Sequence, residues 1–172
     1  EDDRTRKLRG TLIAALGNLG DDPETQEKAR LVFGESRSAE GVVDAEVANA
    51  ALSVVAANGD YDDFERFLAI SDASEDPQEV VKYLRAATSI PDQTATEKLF
   101  QMILEGDIRR QDIVWVVALM LGHRETGPRA WELMKENWDA MLERIPPATG
   151  RRILELLPNR SEPEIAADIE SW

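Results

Sequence analysis

The residues of this sequence that could do chemistry gather in the stretch Gly106 to Ile145. Arg109-Arg110-Gln111-Asp112 stands at the turn that enters an apolar run, Ile113 to Leu121. Two guanidinium groups beside a helix start can project forked N–H donors past it and hold a carboxylate by paired hydrogen bonds. The competing arrangement is internal, with Arg109 and Arg110 pairing to Glu105 and Asp107. His123, the single histidine, lies in Leu121-Gly122-His123-Arg124-Glu125. A zinc-peptidase helix needs His-Glu-x-x-His, so that two imidazoles leave one face with a carboxylate between them. Arg124 follows His123 and no second histidine exists, so this segment encodes no such site. A His-based triad is equally unsupported without a Gly-x-Ser-x-Gly elbow. His123 reads as a turn residue.

Other constellations resolve into structure. Asp60-Tyr61-Asp62-Asp63 opens like a calcium loop, but Phe64 takes the third ligand position and Glu65 stands where the turn needs glycine. Asp60 or Asp62 as a helix cap is the better reading. Gly17-Asn18-Leu19-Gly20 reads as a helix stop, because a phosphate loop would need a preceding strand and a Lys-Ser/Thr pair. Trp131 and Trp138 read as core.

The elements that must position these groups are helices. Asp112 is placed as an N-cap for a helix from Ile113 to Leu121, apolar at every position and so walled by neighbours on nearly all sides, with Gly122 as its stop. Gly127-Pro128 starts a second, in which Trp131, Met134, Trp138, Met141 and Ile145 recur along one face as far as Ile145. Upstream, Arg4 to Leu19 carries an apolar stripe of Leu8, Leu12, Ala15/Leu16 and Leu19. Asp22-Pro23 opens a helix lined by Ala29, Val32 and Phe33, and 34–41 reads as a loop. Helices follow from Asp44 to Asn58-Gly59, from Tyr61 to Ala73, from Asp76-Pro77 to just before Pro91, and from Thr94 to Glu105. A short ninth is placed at Ile153 to Leu157, and a tenth at Glu162 to Trp172, opened by Ser161-Glu162-Pro163.

No strand pattern is present. The inward triad Ala29/Val32/Phe33 returns as Phe64/Phe67/Leu68, Phe100/Ile103/Leu104 and Ala130/Leu133/Met134, and more weakly as Ile165/Ile169, at offsets of 35, 36, 30 and 35 residues. Such a period means stacked helix hairpins, each needing the next to bury its apolar face. The expectation is an all-α fold, a curved solenoid of about five antiparallel HEAT/ARM-like pairs forming a single domain over 1–172. The tetratricopeptide signature does not recur.

Composition limits the partners. The chain has 172 residues, 42% of them hydrophobic, and a formal charge of −14, which disfavours nucleic acid and anionic membrane as main partners. Between Asp21 and Glu65 twelve acids face three bases, whereas between Glu105 and Arg152 eight acids meet eight bases. The acidic front reads as solvated faces and first turns. Without cysteine there is no disulfide framework or thiolate metal site. The longest apolar run is about half of the roughly 20 residues that span a bilayer. The chain has neither an initiating Met nor a signal sequence, so it reads as a mature form or an excised segment. The compartment stays open, with the cytoplasm slightly favoured over export.

Two motifs carry a resemblance. Gly106-Asp107-Ile108-Arg109-Arg110-Gln111-Asp112, followed by Ala130-Trp131-Glu132-Leu133-Met134-Lys135-Glu136-Asn137-Trp138, resembles the carboxy-terminal helical domain of zinc aminopeptidases of the aminopeptidase N family. That family shows an Ile/Val-Arg-x-Gln-Asp turn, then a helix with a Trp, then Asn-Trp six residues on. The likeness extends through Leu8-Arg9 and Gly59-Asp60. It implies a HEAT-like domain without catalytic groups or cofactor of its own, arching over a cleft whose zinc is held by a separate upstream catalytic domain of the same polypeptide. It further implies that Arg109, Arg110 and Gln111 are candidates for meeting the far end, the C-terminus, of a peptide substrate. The alternative is a free-standing HEAT-like scaffold that binds another protein in its groove.

Overall fold

The computed structural model describes residues 2–38, 41–145, 153, 155 and 163–172. Among them are ten helices and no strand, so the fold is all-α. The helices are α1 (Asp3–Asn18), α2 (Pro23–Ser36), α3 (Ala45–Ala57), α4 (Tyr61–Ala73), α5 (Pro77–Ala87), α6 (Gln93–Glu105), α7 (Ile113–Gly122), α8 (Gly127–Glu136), α9 (Trp138–Arg144) and α10 (Pro163–Ser171). Ile153 and Glu155 are helical; the rest of the expected ninth helix, and Ser161-Glu162 before the tenth, lie outside the described residues. None of these helices is long and apolar enough to cross a membrane.

The acidic front has a local cause. Each of the first six helices opens on an aspartate whose carboxylate accepts first-turn amides: Asp2 from Thr5, Asp22 from Thr25, Asp44 from Glu46 and Val47, Asp60 from Asp63, Asp76 from Gln78, and Asp92 from Ala95. A carboxylate there satisfies orphan donors and complements the positive end of the helix dipole. The sixth helix therefore starts earlier than Thr94, at Gln93 behind Asp92.

Contacts divide the chain into two compact units, 1–90 and 91–172. In the first, neighbouring helices run antiparallel. Gln26 at the start of α2 donates to Asn58 Oδ1 at the end of α3, and Ser71 near the end of α4 donates to the Val80 carbonyl early in α5. Alternate helices run parallel: Gly10 of α1 lies against Glu46 of α3 and Gly17 against Val54, while Phe33 of α2 meets the Phe67 ring of α4 edge-on at 5.7 Å. This is the stacked-hairpin arrangement that the sequence period implies. Its core is Phe33, Val54, Val55, Phe64, Phe67 and Tyr83, all buried.

The stripe Leu8, Leu12, Leu16 and Leu19 does not face the core: these side chains are 55, 53, 52 and 88% exposed. The opposite face of α1 packs instead, through Gly10 and Gly17, the two buried residues of the helix. A Cβ on Gly17 would sit 2.6 Å from both Val54 methyls, and one on Gly10 would sit 2.9 Å from the Glu46 carbonyl oxygen. Without side chains at these two positions, α1 can approach α3 more closely than leucines would allow. The stop at the end of α1 stands as read, with Asn18 the last helical residue.

In the second unit, α6 and the α8–α9 segment run in the same direction. Arg129 near the start of α8 donates to Glu97 near the start of α6 at 2.7 Å, and Arg144 at the end of α9 donates to the Ile103 carbonyl near the end of α6. Leu99, Ile103, Ile113, Val116, Met134 and Met141 form the buried interior. The α7 run is less completely walled than its composition implies, since Leu119 is 41% exposed.

The helix expected to run unbroken from Gly127 to Ile145 is interrupted at Asn137. This residue leaves helical geometry (φ −122°, ψ 22°), and both its backbone N–H and its side-chain Nδ2 donate to the Leu133 carbonyl. A short amide side chain that competes for the i−4 carbonyl favours such a break. Met141 N–H then donates to the Asn137 carbonyl, starting α9 at once.

Candidate functional site

The turn between α6 and α7 is built by its ends. Gly106 closes α6 in the left-handed region at φ 100°, with its N–H on the Met102 carbonyl. Its missing Cβ matters, because one would stand 2.4 Å from Arg144 Nη2. The Arg144 guanidinium thus lies across the C-terminal end of α6, where a cation offsets the negative pole of the dipole. Ile108 is buried and anchors the turn.

Arg109, Arg110 and Gln111, the three sequence candidates, follow in consecutive positions and all three are exposed. Arg110 Nη2 donates to the Glu143 carbonyl at the end of α9 at 3.4 Å. Among the described residues neither Arg109 nor Arg110 forms an ion pair with Glu105 or Asp107, and the Glu105 carboxylate instead accepts from Gln101 at 2.7 Å. The structure therefore places Arg109, Arg110 and Arg144 around the α6–α7 turn. Arg144 was not singled out from the sequence. Its signal was available, since a basic residue in a last helical turn is a common partner for carbonyls.

Asp112 departs from its expected role. It occupies the N-cap position of α7 without a side-chain cap, in helical geometry (φ −93°, ψ −20°). Its buried carboxylate accepts from the Trp115 indole N–H at 2.9 Å. The indole, three residues on, takes the acceptor that first-turn amides take at the other aspartates.

His123 is the turn residue that its context implied. Its Nδ1 accepts the backbone N–H groups of Glu125 and Thr126 at 3.3 Å each, and its carbonyl accepts from Gly127, the first residue of α8. A ring nitrogen committed to two amides is a poor metal ligand. Among the described residues no group of three or more His, Cys, Asp or Glu side chains could hold a metal ion. Asp60 to Asp63 likewise act structurally: Asp60 caps α4, and Asp63 pairs with Arg30 at 2.8 Å.

Two arrangements were not foreseen. On the first unit a groove of about 380 Å³ is lined by Arg37, Arg66, Ala69, Ile70, Ala73, Ser74 and Glu79. Arg37 donates to Glu79 at 2.6 Å and lies over the Tyr83 ring, while Arg66 lies over the Phe33 ring at 4.8 Å. The Ser74 hydroxyl first, and then Arg37, hold the Glu79 carboxyl below its ordinary range. On the second unit, α10 is fastened to α8 by Asp168, whose carboxylate accepts from Trp131 Nε1 at 2.6 Å and from the Lys135 ammonium. Trp172 meets the Trp131 and Trp138 rings edge-on at 5.3 and 5.0 Å. Trp131 is buried, as its placement in the core implied, and Trp138 is half-buried.

The turn presents exposed guanidinium and amide donors, groups that can hold a carboxylate by paired hydrogen bonds. The family model for the ERAP1-like C-terminal domain matches residues 1–172. Aminopeptidase M1-A of Oryza sativa subsp. japonica is 30% identical over 138 residues, a stretch that covers 77% of this chain and 15% of that relative. The chain thus spans a small fraction of the relative's length. With every residue of 1–172 inside the family match, the chain belongs to the ERAP1-like C-terminal domain family.

Proposed function

We propose that this chain is the non-catalytic C-terminal part of a zinc-dependent aminopeptidase, that it covers the active-site cleft and limits access to peptides, and that Arg109, Arg110 and Gln111 meet the peptide's C-terminal carboxylate. The family membership together with the aminopeptidase relative carries the reading. The reading treats residues 1–172 as one repeat-built domain. In it, zinc belongs to an upstream catalytic domain of the same polypeptide, and this chain contributes shape and charge. The exposed guanidinium groups of the α6–α7 turn suit a carboxylate, because a planar fork pairs with two carboxylate oxygens at once.

The test uses the full parent polypeptide and this chain side by side on aminoacyl fluorogenic substrates and on a ladder of longer peptides. The parent cleaves and this chain does not. In the parent, Arg109→Ala with Arg110→Ala raises KM for peptides with a free C-terminus by roughly three- to tenfold, the size of a lost charge-assisted contact at an exposed site. Amidated peptides and single aminoacyl substrates are unaffected. Equal loss on all substrates would remove the carboxylate role, and a parent without activity would leave a protein-binding scaffold.

A further inference from the structure

Helix α4 buries Phe64 and Phe67 on one face and carries a different pattern on the other. Arg66, Ala69, Ile70 and Ala73 recur at i, i+3, i+4 and i+7, so they share that second face. They line the groove of about 380 Å³ on the first unit, together with Arg37, Ser74 and Glu79. The core beneath holds both guanidinium groups in place. Arg66 lies over the Phe33 ring at 4.8 Å and Arg37 over the Tyr83 ring at 5.4 Å, and these two buried rings lie against each other with centroids 6.4 Å apart. Charge in the groove is not balanced. Arg37 is paired with Glu79, whose other carboxylate oxygen accepts from the Ser74 hydroxyl at 2.7 Å. Arg66 forms no ion pair among the described residues. A guanidinium with one face on a ring keeps its in-plane N–H groups for an acceptor, and the stacking fixes where that fork points.

We propose that this groove binds a carboxylate that carries a short apolar group, with the Arg66 fork on its two oxygens and Ala69, Ile70 and Ala73 against its apolar part. The site is built from residues 37–79 alone and does not depend on the reading of the chain as part of an aminopeptidase. Three features select this ligand among anions. One guanidinium stands unpaired on a chain of formal charge −14, which suits a single negative charge. Glu79 lines the same groove, so a phosphate dianion would meet about twice the repulsion that a monoanion meets. The three residues that share the face with Arg66 are apolar, a surface that favours a hydrocarbon group and that inorganic phosphate cannot use. The carboxylate can belong to a free small acid or to the end of a peptide. Its chemistry at Arg66 is the same in both.

The test is arginine-selective labelling with phenylglyoxal, read residue by residue by mass spectrometry on the full polypeptide that contains this chain, with isocaproate as the probe. Isocaproate is expected to slow the labelling of Arg66 several-fold at saturation, while isocaproamide and inorganic phosphate leave it nearly unchanged. An unprotected Arg66 would overturn the proposal, and so would equal protection by phosphate, which would make the groove a general anion site. Protection confined to Arg109 and Arg110 would assign the acid to the α6–α7 turn and overturn the groove equally. Protection of Arg66 without those two supports the groove and removes the carboxylate role of the turn. N-acetyl-glycyl-leucine and its amide separate the two sources: stronger protection by the free dipeptide assigns a peptide end, and stronger protection by isocaproate assigns a small acid. Calorimetry on variants adds an independent arm. Arg66→Gln should weaken isocaproate about tenfold, and Arg66→Lys several-fold, because an ammonium keeps the charge without the fork. Ile70→Ser should weaken isocaproate several-fold and leave acetate unchanged, since acetate has no tail to lose. Unchanged affinity in Arg66→Gln overturns the proposal.

Discussion

The two units secure their helices by different means. In residues 1–90 the buried fit is steric: α1 on α3 by two glycines, α2 on α4 by Phe33 and Phe67, α4 on α5 by Phe67 and Tyr83, with ring centroids 6.1 Å apart, while polar pairs such as Gln26 with Asn58 and Arg30 with Asp63 lie at its margins. In residues 91–172 the outermost contacts are polar or charged. Arg144 covers a helix end, Asp112 holds an indole, and Asp168 ties α10 to Trp131 and Lys135. Volume changes should therefore fall hardest on the first unit, and acid should loosen the edge of the second. All four tryptophans, Trp115, Trp131, Trp138 and Trp172, lie in the second unit, and both tyrosines in the first, so each unit has its own optical reporter.

The largest effect is expected from Phe67→Ala. The ring is fully buried and touches both Phe33 and Tyr83, so its removal leaves a cavity that close-packed neighbours cannot fill. The cost is about 3–5 kcal/mol, read as a lowered urea midpoint for the tyrosine signal. A tryptophan signal falling by the same amount would break the distinction between the units.

Next in size are the glycines. Gly17→Val drives a side chain into the Val54 methyls and should cost about 1–3 kcal/mol through overpacking. Gly34, near the end of α2, meets nothing within 4 Å at its Cβ position. Gly34→Ala should therefore stabilise by roughly 0.5–1 kcal/mol through helix propensity alone. Opposite signs for two helical glycines in one unit, measured by denaturation, would establish that steric approach decides. The caps come after these: Asp60→Ala removes the acceptor for the Asp63 amide and should cost about 1 kcal/mol.

Much of this was legible from residue order. Aspartate followed by proline or by an apolar period announced α2 and α5. The triads Ala29/Val32/Phe33, Phe64/Phe67/Leu68, Phe100/Ile103/Leu104 and Ala130/Leu133/Met134 each place their first and one later member in the core, with the remaining residue half-buried. What escaped the sequence has a common cause. Periodicity shows that Leu8, Leu12, Leu16 and Leu19 share a face but is silent on which face meets the rest of the chain, and two glycines seven residues apart decided that. Asn137 looked helical because its apolar neighbours kept their spacing across it, while its side chain took the Leu133 carbonyl. Asp112 had a capping residue type, but Trp115 offered its carboxylate a competing donor. The exposed turn at Arg109 and Arg110 could be located from the Asp112 and Ile113 boundary, whereas Arg144, a basic residue in a last helical turn, carries a signal for meeting carbonyls but none for which distant helix end it meets.

The smallest change at neutral pH is expected from Asp168→Asn, and it tests the polar half of the comparison most directly. Lys135 first, and Trp131 second, hold the Asp168 carboxyl below its ordinary value of 3.8. The charged form is thus favoured when α10 is docked, so its stabilisation is fully present above the ordinary carboxylate range. It is lost as the pH falls through the lower, docked-state value. An asparagine keeps an oxygen for the Trp131 indole but gives up the pairing with Lys135, and the pair is partly solvated, so the neutral-pH effect stays small. Tryptophan fluorescence followed from about pH 5 to pH 2 should shift as Trp172 leaves the edges of Trp131 and Trp138. In Asp168→Asn the part of that shift belonging to α10 should be absent, because no proton remains to be taken up there. An unaltered acid transition in the variant would mean that the ring edges alone hold α10, and the second unit would then be fastened by the same steric contacts as the first.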